Sequence, residues 1–453
     1  MSQANDIVII GAGPAGLTAG YELARHQRAP LVIEKSRLVG GIARTEQYRG
    51  FLFDIGGHRF HTDIEEIQAI WRELLGPDLL EVPRVSHIFF QGRLIKYPLQ
   101  VGDTLRSIGL GASLAAILSY LKVALFRPAE LDNLEQWLTA RFGSRIYRTF
   151  FKEYSEKVWG LPCSQIQADW ANQRIQGLSL ARTIINALGG KKTATTLIDQ
   201  FLYPRLGSGM LWEEMARRMV NHGAELELGW EVSGLELDHG RVARLRLSNG
   251  HETRSVAAGQ VISSMPLPHL IQRLEPAPAP EILKAAGRLR FRGFLLVGLV
   301  LSSDIGTEHP WQWLYVHEPN LRVGRVQNYR NWSPHMTPDP DMTALGMEYF
   351  CDQGDEFWSL ADDELVSLAT AELDRLWPGS GELVTDGVVY RQSHAYPVYH
   401  LGYQEVVTRL RDYLGGISNL ATIGRNGLHR YNNQDHSMVT GLEAARRILA
   451  ATG

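Results

Sequence analysis

The 453-residue sequence contains only two cysteines, Cys163 and Cys351, far apart in the chain. Two distant thiols support neither a disulfide framework nor a metal cluster, so both read as packing residues and a reducing compartment is compatible. A surplus of one charge sign is also missing, since the formal net charge is −3. Nucleic-acid binding, which needs a basic surplus, finds no support. Long uncharged runs are scarce. The first apolar stretch is broken by glycines within a few residues, which argues against a secretory signal and makes a cytoplasmic location the expectation. One segment, 107–126, approaches the length of a membrane span, with no charge from 107 to 121 but several Gly and Ser residues. It reads as a buried helix or helix pair, and membrane contact is not expected.

What is present is ordinary for a globular chain of two or three domains, with 44% hydrophobic and 21% charged residues. The informative part starts near the N-terminus. Asp6-Ile7-Val8-Ile9-Ile10 reads as a buried parallel strand, Gly11-Ala12-Gly13-Pro14-Ala15-Gly16 as a tight turn that admits a pyrophosphate, and 17–25 as a helix whose N-terminus attracts anions. Glu34 closes the next apolar run, Leu31-Val32-Ile33, where a carboxylate would meet ribose hydroxyls. Strand, turn, helix, strand and acid in that order imply an adenosine-diphosphate ligand. Gly40-Gly41-Ile42-Ala43-Arg44 adds a second glycine pair and a cation against phosphate, which favours FAD over NAD.

The other end carries a matching piece. Residues 419–423 are strand-like, Gly424-Arg425-Asn426-Gly427 allows close backbone approach, and 438–449 is helix-like. Between the two ends, 65–75 and 134–154 have helical spacing, and 225–228 and 242–247 alternate as strands. Pro276-Ala277-Pro278-Ala279-Pro280 reads as a stiff connection, followed by strand-like 294–301, 322–327 and 345–350, an antiparallel sheet.

In this order the motifs resemble the eukaryotic-type UDP-galactopyranose mutases, within the amine-oxidase-like FAD superfamily. The resemblance spans nearly the whole chain. It rests on Gly56-Gly57-His58, Tyr97-Pro98-Leu99-Gln100, Lys157-Val158-Trp159-Gly160-Leu161-Pro162, Gln173-Arg174, Tyr203-Pro204-Arg205-Leu206-Gly207-Ser208-Gly209, Trp313-Leu314-Tyr315, Arg325, Gly424-Arg425 and Asn433-Gln434-Asp435-His436-Ser437. It implies an α/β fold with a discontinuous Rossmann-type FAD domain over 1–65, 205–275 and 395–453. A mainly helical substrate domain would occupy 66–204, and an antiparallel-sheet substrate domain 276–394.

The implied activity is interconversion of the pyranose and furanose forms of a nucleotide sugar, UDP-galactose or a close relative. In that family, reduced-flavin N5 attacks the anomeric carbon and UDP departs and returns, with no net redox change. By the same resemblance, Arg174 and Arg325 would clamp the diphosphate and His58 would sit beside the isoalloxazine and tune it. Tyr315, Tyr396 and Tyr431 would meet phosphate or sugar, Trp313 would line the pocket, and Tyr97 and Gln100 would meet the uridine. Expected cofactor contacts are Gly11, Gly13, Ala15, Gly16, Glu34, Lys35, Gly41, Ile42, Ala43, Arg44, Gly57, His58, Val232, Gly424, Arg425, Asp435 and Ser437. Leu99 departs from the family's aromatic residue, and the basic stretch Gly189-Gly190-Lys191-Lys192 matches the family's flap only loosely, so another activated sugar stays open. An external reductant such as NAD(P)H and a homo-oligomer are also left open. Two other classes compete: a flavin oxidase or desaturase with an apolar substrate channel, and a flavin-holding scaffold without turnover.

Overall fold

The computed structural model describes residues 5–97, 110–125, 131–169, 171, 200–305 and 309–452. Its first layer grows from the N-terminal strand Asn5–Ile10, which lies parallel to Leu31–Glu34 on one side and to the end of Thr253–Ser263 on the other. The strands Glu225–Leu228 and Leu420–Thr422 extend this parallel set. Its interior reads as near-continuous Val, Ile and Leu because both faces are covered. On one face lie the opening helix Pro14–Arg25, the helix Gly209–Asn221 and the C-terminal helix Gln434–Thr452, which share one apolar core around Ile9, Leu17, Val32, Trp71 and Met215. The meander Glu231–Asp238, Arg241–Ser248 and Thr253–Ser263 completes an eight-stranded sheet.

The second layer is a seven-stranded, mostly antiparallel sheet in the order Val384–Pro397, Phe291–Leu301, Thr343–Cys351, Arg325–Asn328, Trp313–Val316, Ser86–Phe90, Arg93–Tyr97. Strand alternation divides it cleanly. Leu295, Val297, Leu299, Leu345, Met347 and Tyr349 turn towards the helix Asp362–Leu376. Phe294, Leu296, Ala344, Phe350 and Trp313 turn the other way, into a core shared with Phe53 and the helices around Trp137 and Trp159.

The α/β architecture matches the sequence-based expectation, but three local readings need correction. The hairpin Ser86–Tyr97 falls within the stretch expected to be mainly helical and apart from the sheet domain, yet it completes the antiparallel sheet through parallel pairing of Trp313 with Ser86. Pro280–Ala286, placed at the start of the sheet domain, packs into the dinucleotide-domain core through Ile282, Ala285 and Ala286. Helical spacing over 134–154 is broken at Gly143, whose φ of 83° ends Leu134–Phe142 before Ser144–Ile146 restarts the helical path.

The segment expected to be buried over 107–126 is also different. Leu110–Leu125 is one helix that packs its small face against the chain near Gly143, where Ser119 Oγ meets Ser144 Oγ at 3.0 Å. Its other face is open, with Leu118, Leu121 and Leu125 exposed. Among the described residues no helix is long and apolar enough to cross a membrane.

Candidate active site

A cavity of about 260 Å³ opens where the first strand meets the opening helix. The turn that makes room for it has Gly11 at φ 98°, a backbone state that favours glycine. Gly16 belongs to the same turn but does not line the cavity: a Cβ there would lie 1.9 Å from the carbonyl oxygen of Gly11. Its role is close packing of helix on strand. The helix Pro14–Arg25 is preceded by Gly13 at its N-cap, with no side-chain cap and no acidic residue in its first turn. Its first N–H groups and positive dipole end are therefore available to an anion. Gly41 comes close behind, since a Cβ there would sit 3.2 Å from Gly13 Cα.

Glu34 is buried, and its carboxylate accepts hydrogen bonds from the N–H of Ala12 and of Ser36, both at 2.8 Å. Two fixed donors hold the carboxylate in place while free lone pairs remain for ribose hydroxyls. Lys35 and Val232 line the same end. Ala15, Ile42, Ala43, Arg44, His58, Gly424, Arg425 and Ser437 line the rest, together with Gly11, Gly13, Glu34 and Gly41. An uncapped helix end, glycine turns and an oriented carboxylate fit the diphosphate and ribose of FAD.

Several expected contacts behave differently. Arg44 is engaged by Glu46 at 2.6 Å and by Gln392, so part of its charge is already answered. Gly57 turns to the antiparallel sheet, where an added Cβ would fall 2.1 Å from the Trp313 ring. Asp435 is buried beside the cavity and binds His436 Nδ1 at 3.0 Å. His394, His269, Gln392 and Ser264 line the cavity without having been singled out from sequence, beside Asn433 of the C-terminal motif. Gln392 and His394 come from the strand Val384–Pro397, Ser264 from just past Thr253–Ser263 and His269 from the short helix Leu267–Gln272; their convergence is a tertiary event, and no local motif marks these four.

His58 Nε2 lies 2.8 Å from Ile42 O and 3.0 Å from Ile55 O, so it donates to the backbone. Burial, with repulsion from Arg425 and Arg325, pushes its imidazole down to about 4. It is neutral at pH 7. The next residue, Arg59, turns away towards the sheet: its Cζ lies 4.9 Å from the Trp313 ring centroid and its Nη2 donates to Ser86 Oγ at 2.6 Å. One loop therefore serves the cofactor cavity and the sheet face in successive residues.

On that face, strand register aligns Glu348 with Arg325 and Arg325 with Tyr315. Arg325 Nη2 meets Glu348 Oε2 at 2.5 Å and donates to the Tyr396 hydroxyl at 2.6 Å, and its guanidinium lies over Trp313 and Phe350. Tyr396 stacks on Tyr431 with ring centroids 5.5 Å apart, and Arg425 lies over Tyr431. Tyr97 packs against Tyr315 at 4.9 Å. The face thus gathers Arg325, Trp313, Tyr315, Tyr396, Tyr431 and Tyr97, whereas Arg174 and Gln100 lie outside the described residues. Glu348 is the group that sequence reasoning missed. It hides in a strand buried at every position, where a lone acid is itself the signal. Cys163 and Cys351 are free and buried.

The model of the flavin-containing amine oxidoreductases matches residues 14–449. The chain belongs to that family. As such it is a FAD-dependent enzyme, in keeping with the cavity. A crystal structure of reduced UDP-galactopyranose mutase superposes with a TM-score of 0.86 at 20% identity, covering 99% of this chain and 94% of that one. Among curated relatives, the 15-cis-phytoene desaturase of Arabidopsis thaliana is 23% identical over 82% of this chain and 66% of its own length. The prolycopene isomerase of Daucus carota is 23% identical over 58% of this chain and 46% of its own length. The chain spans less than two thirds of either relative.

Proposed function

We propose that the protein is a nucleotide-sugar mutase that interconverts pyranose and furanose forms, with UDP-galactose or a close relative as substrate. The observation that carries this is the chemistry of the sheet face reached from the His58 loop. It presents a guanidinium and a cluster of tyrosines, including Arg325, Tyr315, Tyr396 and Tyr431. Apolar substrates are held by apolar walls, whereas phosphate and sugar need fixed donors and aromatic platforms. The likeness to UDP-galactopyranose mutase, which extends over the full fold, supports the same reading.

Bound and reduced, FAD would supply the nucleophilic centre that the ring change needs, and would leave each cycle unchanged. The chain's own groups then have three tasks. Arg325, joined by Arg174, stabilises charge on the departing diphosphate, and Glu348 with the Tyr396 hydroxyl fixes its guanidinium in advance. Tyr315 and Tyr431 flank the sugar, Tyr97 and Gln100 the base, and Trp313 closes the wall. His58, neutral and tied to two carbonyls, would orient the loop that lines the cofactor cavity and is not a proton donor at pH 7.

A flavin desaturase or oxidase is the competing activity, favoured by the phytoene desaturase relative. The test is anaerobic incubation of dithionite-reduced, FAD-loaded protein with UDP-galactofuranose, read by chromatography for UDP-galactopyranose, with oxidised protein as control. Conversion in the reduced sample alone is expected. Failure on this and other activated sugars, with acceptor-dependent oxidation of an apolar substrate, would overturn the proposal.

A further inference from the structure

Arg325 has its counter-charge in Glu348, but among the described residues Arg59 and Arg84, near the same face, have no carboxylate partner. Arg59 donates to Ser86 Oγ, and its Nε is buried with no hydrogen-bond partner. Its charge rests on aromatic rings: the Cζ lies 4.9 Å from the centroid of Trp313, 5.4 Å from Phe201 and 5.7 Å from Trp332. Arg84 reaches the same place from two residues before Ser86. Its Cζ lies 5.6 Å from the Tyr97 ring, and its Nε too is buried and unpartnered. Among the described residues, neither guanidinium has a carboxylate partner. Trp313 Nε1 adds a third buried donor with no acceptor.

Register places these groups together. Trp313 pairs with Ser86, and Ser86 pairs with Tyr97, so three adjacent strands present one row. Tyr315, two residues beyond Trp313 on the same face, packs on Tyr97. The result is an aromatic platform, Trp313-Tyr315-Tyr97, with an uncompensated guanidinium at each end. Burial lowers the Arg59 pKa to about 10, and Arg84 adds repulsion. Two like charges beside unfilled donors cost free energy that a bound anion would return.

We propose that Arg59 and Arg84 form a phosphate seat beside the Trp313-Tyr315-Tyr97 platform, and that the diphosphate of a nucleotide ligand binds there as well as at Arg325. This rests on the nucleotide-sugar reading for the identity of the ligand but not for the anion seat itself. A base stacked on the tyrosines and a diphosphate between the arginines satisfies both halves of the platform. Arg325, neutralised by Glu348, contributes direction more than net charge.

The experiment is isothermal titration of FAD-loaded protein with UDP, uridine and inorganic pyrophosphate, for the wild type, Arg59→Gln, Arg84→Gln and the charge-keeping Arg59→Lys. Flavin absorbance after gel filtration checks that each variant is folded. Each Gln variant should bind UDP and pyrophosphate roughly ten- to a hundredfold more weakly, with a shallower salt dependence, and uridine unchanged. Arg59→Lys should recover part of the loss. Should the wild type bind pyrophosphate but not UDP, the anion seat stands and the nucleotide reading falls. Unchanged UDP and pyrophosphate affinity in both Gln variants, equal losses for uridine, or no pyrophosphate binding by the wild type would overturn the seat.

Discussion

Replacing Glu348 by Gln should be among the most damaging single changes in the antiparallel sheet. The Glu348 side chain is 0% exposed and that of Arg325 11%, so both members of the pair are buried. Glu348 also receives a hydrogen bond from Gln327, and Arg325 is packed between Trp313 and Phe350. Removing one partner leaves the other's charge buried and unanswered, a loss of about 3–5 kcal/mol. Unfolding entropy is about 2.1 cal/mol/K per residue, which over 453 residues comes to roughly 1 kcal/mol/K. The melting temperature should therefore fall by about 3–5 °C. Calorimetry on FAD-loaded Glu348→Gln, Arg325→Met and the double variant Glu348→Met/Arg325→Met would read it. The double variant should lose less than the sum of the single changes, because it buries no orphan charge. A fall below about 1 °C for Glu348→Gln, or full additivity in the double variant, would refute the buried-pair reasoning.

Other perturbations have distinct signatures. Gly16→Val should abolish FAD retention, because its Cβ would collide with Gly11 O at 1.9 Å; flavin-to-protein ratio after purification measures this. Gly441→Ala should destabilise the contact of the opening and C-terminal helices by about 1–3 kcal/mol, since the new Cβ would lie 2.3 Å from Ala15 O, and thermal unfolding checks it. Asp54 is fully buried, and burial raises its pKa from 3.8 to about 6 despite hydrogen bonds from Thr45, Tyr203 and Ser208. Folding therefore favours its protonated form: the contribution is complete below about 3.8 and is lost as pH rises through about 6. Asp54→Asn should gain up to about 3 kcal/mol relative to the wild type between pH 4 and pH 7, and urea midpoints across that range would test the sign. His58 works oppositely, because its depressed pKa gives stability that is present above 6.5 and lost as pH falls through about 4. His58→Gln should flatten that acid limb of the same urea series.

The cofactor cavity was legible because its chemistry is local. Gly11, Gly13, Gly41 and Glu34 lie within one strand-turn-helix-strand unit, and each is fixed by neighbours close in sequence. The sheet face was legible only in part. Trp313, Tyr315 and Arg325 belong to recognisable motifs, but the meeting of Trp313 with Ser86 depends on pairing strands more than two hundred residues apart, which no periodicity encodes. Glu348 and Arg59 gain their meaning from what stands opposite them. Gly441 carried a local clue, since a glycine within a helix is unfavourable unless another backbone must come close. The 107–126 segment misled for a similar reason: its composition says apolar, but which face is covered depends on Gly143 and Ser144.

The most direct measurement follows the flavin spectrum and the sugar ring form together over many turnovers, with reduced holoenzyme and nucleotide sugar under strict exclusion of oxygen and other acceptors. A mutase accumulates many equivalents of ring-isomerised product per flavin while the flavin remains reduced at the end. Reduced flavin that converts no nucleotide sugar, or product that appears only in step with flavin oxidation or reduction, would contradict a non-redox role.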